Sequence, residues 1–273
     1  MTADETLAEP DGAQPRARVG ATVMRRRGGE IDAPTVASIL VKRLGIPKLD
    51  ALEACTRGGG ILADNVDPAA AEGLAADLKA LGEDCIVVPA GEIVTLSGRR
   101  AVHAAHLTHT EAAFVDADGH ATEAPWSQGV ALVAGAVGVM ETELEEHPVS
   151  VWRERINLVG LPVPRSEAWE VTKTETEELV DVVFTAPLRW YRINARQFDF
   201  SILGQQEQPG SDANIHTLAR WLVYAMPHVR TNFDNEQLLK TGQLPLETYP
   251  EHHFRNVLSW LTNLALHDQP EKA

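Results

Sequence analysis

Asp67-Pro68 is the feature that most limits how this chain can fold. An aspartate cap followed by proline at the first helical position starts a helix where a missing N–H costs nothing. Ala71, Leu74, Ala75, Leu78 and Leu81 then share one face, and Gly82 closes the helix. Such an apolar stripe has to be covered, and the flanking sequence supplies the partners. Val19 to Val23 reads as a strand, ended by Arg25-Arg26-Arg27 and Gly28-Gly29. Asp32 then caps a helix with Pro34 in its first turn, Val36, Ile39, Leu40 and Leu44 on one face, and Gly45 as its stop. Pro47 opens a second helix with Leu49, Leu52 and Cys55 inward, ending at Gly58-Gly59-Gly60. Ile61-Leu62-Ala63 is a short strand before Asp67, and Cys85-Ile86-Val87-Val88 is the last, ended by Pro89. The predicted order over residues 20–92 is strand, helix, helix, strand, helix, strand.

The segment LVKRLGIPKLDALEACTRGGGILADNVDPAAAEGLAADLKALGEDCIVV resembles the small βααβαβ domain shared by the ribosomal stalk protein's C-terminal half and the ClpS-type protease adaptors. Its helix spacings, the glycines before the strand and the Asp-Pro helix start carry the resemblance, which covers about a quarter of the chain. Only Lys42, Arg43 and Lys48 stand for the stalk domain's lysine-rich helix. The Asn-Asp-Asp stretch with which ClpS holds its ligand is absent, the sequence there reading RRRGGEIDAPT. The resemblance implies a fold that binds other proteins and does no chemistry. Neither family's partner carries over.

From Glu92 the grammar changes to strands and turns, giving an α+β protein with a second, β-rich domain over residues 93–273. IVTLSG, AVHAAHLTH, EAAFVDADGHATEAPW, GVALVAGAVGV, INLVGLPV, ELVDVVFTA and LRWYRINA are short runs rich in Val, Leu and aromatics, broken by Gly, Asp and Pro. Asp116–Gly119 is a hairpin turn. Two amphipathic helices close the chain, one from Asp212 with Ile215, Leu218, Leu222 and Met226, one after Pro250 with Phe254, Val257, Leu258, Leu261 and Leu264. Turn-linked strands, a Pro-Trp entering the GVALV strand and a helix after the sheet make this part similar to the pleckstrin-homology-like barrels of bacterial proteins. Glu141 to Asp181 holds 11 acids against 4 bases and is expected to be a solvated loop or edge inserted between strands.

Charge narrows the partners. The chain has 273 residues and a net charge of −15, with 12 basic and 15 acidic residues in 1–100 and 12 and 24 in the rest. Such a surface repels nucleic-acid phosphate and anionic lipid, so neither is an expected partner. Residues 1–19 are acidic and polar, expected as a mobile tail without the apolar run of a signal peptide. The longest apolar run, Gly129–Met140, has 12 residues, too few to span a membrane, which takes roughly 20. A cytoplasmic location is expected. Two cysteines make neither a disulfide framework nor a zinc knuckle.

Each candidate chemistry has a plainer competitor. His103, His106 and His109 follow one another at three-residue steps. On a strand His106 faces away from the other two, which lie roughly 20 Å apart at about 3.3 Å per residue. On a helix His109 drifts round from the first two. Neither geometry gathers all three on an ion. Cys55 and Cys85 read as small core residues, with no base beside them to make a nucleophile. Arg57-Gly58-Gly59-Gly60 runs from helix into strand, the reverse of a phosphate loop. Lys240-Thr241-Gly242 matches one penicillin-recognising motif, but no Ser-x-x-Lys accompanies it.

Glu141, Glu143, Glu145, Glu146, Glu175, Glu177, Glu178 and Asp181 read as a solvated face that could meet a basic partner. Arg189, Arg192 and Arg196, interleaved with Trp190, Tyr191 and Phe198, would suit a phosphate, an acidic peptide or a stacked base if open. The simpler reading turns the aromatics inward and pairs the arginines with the acidic insertion. His252 and His253 read as exposed first-turn residues. No catalytic, cofactor or metal residues are assigned. The leading expectation is a non-enzymatic protein-interaction or adaptor protein with an unidentified protein partner. The alternative is a metal-assisted hydrolase with a histidine site around 103–109.

Overall fold

The computed structural model describes residues 20–28, 31–149, 165–245 and 248–268. They fall into two compact units divided between Val94 and Thr95. The N-terminal tail and the whole of INLVGLPV lie outside the described residues.

In the first unit the elements are β1 (Ala21–Arg25), α1 (Ala33–Leu44), α2 (Lys48–Arg57), β2 (Ile61–Val66), α3 (Pro68–Ala80) and β3 (Cys85–Pro89). The sheet order is β2-β1-β3, with β1 antiparallel to both neighbours. Being the middle strand, β1 is buried at all five positions. Its one neutral polar side chain is satisfied, Thr22 donating to Asp64 at 2.7 Å. The helix signals act where the sequence puts them. Asp67 accepts from the backbone of Ala69 and Ala70 at 3.0 and 3.1 Å, Asp32 accepts from Thr35 at 3.3 Å, and Gly45 ends α1 in the left-handed region. Val36, Ala37 and Leu40 of α1 and Ala71, Leu74 and Leu78 of α3 share the core under this sheet. Each fully buried leucine there stabilises the fold by roughly 1.5–3 kcal/mol.

The second unit contains β4 (Arg100–Val102), β5 (Ala104–Leu107), β6 (Glu111–Val115), β7 (Ala121–Pro125), β8 (Gly129–Val149), β9 (Arg165–Thr185), β10 (Leu188–Asn194), a 3-10 segment at Phe200–Gln206, α4 (Ser211–Ala225), β11 (Arg230–Thr231), α5 (Phe233–Thr241), β12 (Thr248–Tyr249) and α6 (Glu251–His267). β5, β6 and β7 form an antiparallel meander. The large sheet runs β11-β8-β9-β10-β4, with β12 also on β8. Its β4, β11 and β12 pairings are parallel and its others antiparallel. These are open sheets; the described strands form no closed barrel.

Alternation assigns the two faces of the large sheet. Leu132, Ala134, Val180, Val182, Phe184, Tyr191 and Ile193 enter one core with Phe114 of the meander and with Ile215, Leu218 and Leu222 of α4. Phe114 stacks on Tyr191 at 4.5 Å and meets Phe184 edge-on at 5.8 Å, which fixes sheet against sheet. The opposite face carries Gly135, Asp181, Trp190 and Arg192 and is covered by α6 through Phe254. Because both faces are covered, GVALVAGAV is a continuous apolar run.

Four expectations are corrected. Leu49 and Leu81, expected on inward helix faces, are 68% and 49% exposed. The described parts of the acidic segment, 141–149 and 165–181, are strand and not loop: after a bulge at Gly129/Ala131, β8 and β9 pair continuously from Ala131↔Val183 to Val149↔Arg165. Ile93–Gly98 is not a strand; Leu96 is buried, and its carbonyl accepts from Arg255 at 3.2 Å in place of a strand neighbour. The C-terminal region has three α-helices, not two, because Phe233–Thr241 also winds up, ended by left-handed Gly242. Among the described residues, no helix is long and apolar enough to cross a membrane.

Candidate functional site

The sequence-predicted candidates disperse. His103 is half-buried in the bend between β4 and β5, His106 is exposed on β5, and His109 is exposed in the following turn. Among the described residues, only Asp116, Asp118 and His120 bring three ligand-type atoms within 4.8 Å of one another. That closeness is the β6–β7 turn's own geometry, since Asp116 accepts from the backbone of Asp118 at 3.0 Å and of His120 at 2.9 Å. Among the described residues, His103, His106 and His109 belong to no cluster of three converging ligand atoms. Burial pushes both thiols up, Cys85 to about 11, so neither is an activated nucleophile. Gly59 and Gly60 are left-handed residues ending α2, not a phosphate cradle.

The arginine–aromatic patch of β10 is consumed by internal pairing. Arg192 forks onto Asp181 at 2.8 and 2.7 Å and reaches Glu251 at 2.7 Å, while Arg99 also pairs with Glu251. Both guanidinium groups lie over the Trp190 ring. Burial pushes the Asp181 carboxyl up against the opposing pull of Arg192. For Arg192, burial pulls downward, but the Asp181 and Glu251 pairings outweigh it and leave the guanidinium raised. Arg196 pairs with Glu175, and Arg189 donates to the Glu123 carbonyl at 2.9 Å. Glu177 accepts from Asn194 at 2.8 Å. Of the acids named from the sequence, Glu141, Glu143, Glu145 and Glu146 lie on β8. His252 is exposed, and His253 stacks on Tyr249 at 4.9 Å.

The open chemistry lies elsewhere, along the outer side of α4. Ile215, Leu218 and Leu222 turn inward, Arg220 and Tyr224 are exposed, and half-buried His216, Thr217 and Trp221 lie between, Trp221 packing partly against the core. Two adjoining clefts of about 480 and about 500 Å³ run beside them. Gln205–Gln208 walls the first and Gly242–Leu244 the second, and Gln208, Thr217 and Arg220 line both. Asn214, 4% exposed, holds that wall in place. Its amide donates to the Gln208 carbonyl at 2.9 Å and accepts from the Gln208 N–H at 2.7 Å.

At one end His216 Nε2 lies 2.9 Å from Glu178 Oε2, both atoms out of solvent and out of hydrogen-bond alignment. At the other, Tyr224 is 75% exposed. Arg220 is exposed and has no partner among the described residues. Sequence reading missed this site apart from Glu178 and Gly242. The available signal was a tyrosine on the polar face of an otherwise regular amphipathic helix.

The fold and site define an α+β protein of two units that, among the described residues, carries a polar, aromatic-edged groove along α4. Comparison with protein-family models, with curated proteins and with solved structures finds no match to this chain.

Proposed function

We propose that the protein is a non-enzymatic interaction protein of the adaptor type, acting in the cytoplasm, and that the α4 groove is where a partner protein docks. One observation carries the reading: Arg220, Trp221 and exposed Tyr224 line one cleft together, and Arg220 also lines the second. Trp, Tyr and Arg are the residue types that dominate binding energy at protein interfaces. They combine large contact area, few rotatable bonds and a polar handle.

The βααβαβ order and antiparallel β2-β1-β3 sheet of the first unit support kinship with the stalk-protein and ClpS-type adaptor domains, hence a second binding surface there. Two sheets packed through Phe114, followed by helices, support a pleckstrin-homology-like origin for the larger unit. Fold kinship is weak warrant for function, so the groove bears the weight. The −15 charge supports a protein rather than nucleic acid or anionic lipid as partner.

The test is crosslinking capture from the native host with the full chain beside an Arg220→Ala/Tyr224→Ala variant. A partner crosslinked to α4 and lost with the variant is the expected result. Identical partners captured by both forms would overturn the assignment.

A further inference from the structure

The groove's chemistry goes further than its shape and specifies what the docked segment carries. This inference rests on the docking reading above. In the larger unit the arginines near the sheet are spoken for: Arg99 and Arg192 by Glu251, Arg192 also by Asp181, Arg196 by Glu175, and Arg189 by a backbone carbonyl. Arg220 is not, although the chain carries 39 acids against 24 bases. It stands at the waist between the two clefts, beside Gln208 and Thr217. The acid nearest that waist in the second cleft, Glu178, is already against His216. Glu207 lines only the first cleft. An anionic group in a docked segment therefore has one favourable seat, Arg220.

One planar guanidinium matches one carboxylate through two parallel hydrogen bonds. Phosphorylated segments are generally met by clusters of arginines, and only one arginine is present here. Thr217 already donates its hydroxyl to Ala213 at 3.0 Å. The side-chain amides of Gln205, Gln206, Gln208 and Gln243 are unengaged among the described residues and can pair with main-chain N–H and C=O groups of a passing strand. From His216 to Tyr224 the helix rises about 12 Å at 1.5 Å per residue, room for about four residues of extended chain.

We propose that the α4 groove takes an extended segment of a partner protein. The segment places one Asp or Glu carboxylate on Arg220 and an aromatic or apolar side chain on Trp221 and Tyr224.

The test is selection of a displayed random heptapeptide library on the full chain. Titrations of the best synthetic peptide then follow on wild type, Arg220→Ala, Arg220→Lys and Tyr224→Ala. Arg220 and Tyr224 are both solvent-facing, so the fold is untouched. The expected peptides share an acid one or two residues from an aromatic. Arg220→Ala should weaken binding about tenfold or more, Arg220→Lys should recover part of it, and replacing the peptide's acid in the Arg220→Ala background should add no further loss. Peptides that lose affinity with Tyr224→Ala but ignore Arg220→Ala would overturn the carboxylate assignment and leave the docking site standing. Peptides that respond to no groove substitution would overturn both.

Discussion

Arg192→Leu is the substitution to which the larger unit should be most sensitive. Asp181 is fully buried, and both of its carboxylate oxygens accept from Arg192, at 2.8 and 2.7 Å. Removing the guanidinium leaves a carboxylate in a dry interior without its two charge-assisted hydrogen bonds, with only the weaker pulls of Trp190 and Arg99 remaining. Breaking a buried pair from one side costs about 3–5 kcal/mol. The reverse change is milder, because in Asp181→Leu the Arg192 guanidinium keeps Glu251 at 2.7 Å and its place over Trp190 and Phe254. Losses should therefore rank Arg192→Leu above Asp181→Leu, with the double variant recovering much of the Arg192→Leu loss.

Urea unfolding followed by tryptophan fluorescence reads this cleanly. All six tryptophans lie beyond Val94, so the signal belongs to the larger unit alone. Against a usual domain stability of about 5–15 kcal/mol, the shift in midpoint is large. An Arg192→Leu variant within about 1 kcal/mol of wild type, or an Asp181→Leu variant that loses more than Arg192→Leu, would refute the argument.

Three further outcomes follow from local geometry. Asp67→Ala removes the acceptor for two N–H groups at the start of α3 and should destabilise the first unit by about 1 kcal/mol, read by hydrogen exchange in α3 and β3. With its thiol pushed up to about 11, Cys85 should be about one part in a thousand thiolate at pH 8 and label far more slowly than a free thiol, the rate climbing until about pH 11. Glu251 feels an upward push from burial, but the Arg192 and Arg99 pairings outweigh it and hold the carboxyl below its usual range. Its contribution to stability is complete above the ordinary glutamate pKa of about 4.3 and is lost as pH falls through the lower folded-state value. Below about pH 4.3, Glu251→Gln should lose stability less steeply than wild type; equal slopes would remove Glu251 from the acid response.

The first unit was legible because its determinants are local. Asp67, Asp32, Gly45 and Gly82 each act on residues within a turn or so of themselves, and the element order follows from them. The larger unit was harder because its determinants are partners distant in sequence. β8 and β9 hold an acid-rich stretch in strand form only because they pair with each other, and nothing in either strand alone announces that. Trp190 and Arg192 share a face by simple alternation, yet which face is solvent depends on α6 lying over it. The groove is illegible for the same reason. Arg220 looks like any solvated helix residue until Gln205–Gln208 and Gly242–Leu244 are brought alongside by the chain's return.

The parallel pairings of the larger sheet also set its folding timetable. β10 cannot receive β4, nor β8 receive β11 and β12, until strands separated by much of the larger unit's length have both been synthesised. Long-range closures of this kind are slow, because the entropy of closing the loop is lost before any contact compensates it. The first unit needs nothing past Pro89 to complete its sheet. β8, with the longest apolar run in the chain, is made well before α6, which covers one of its faces. During that interval its open edge is exposed to foreign strands, so the steps most prone to aggregation belong to nascent chains that end between β8 and α6.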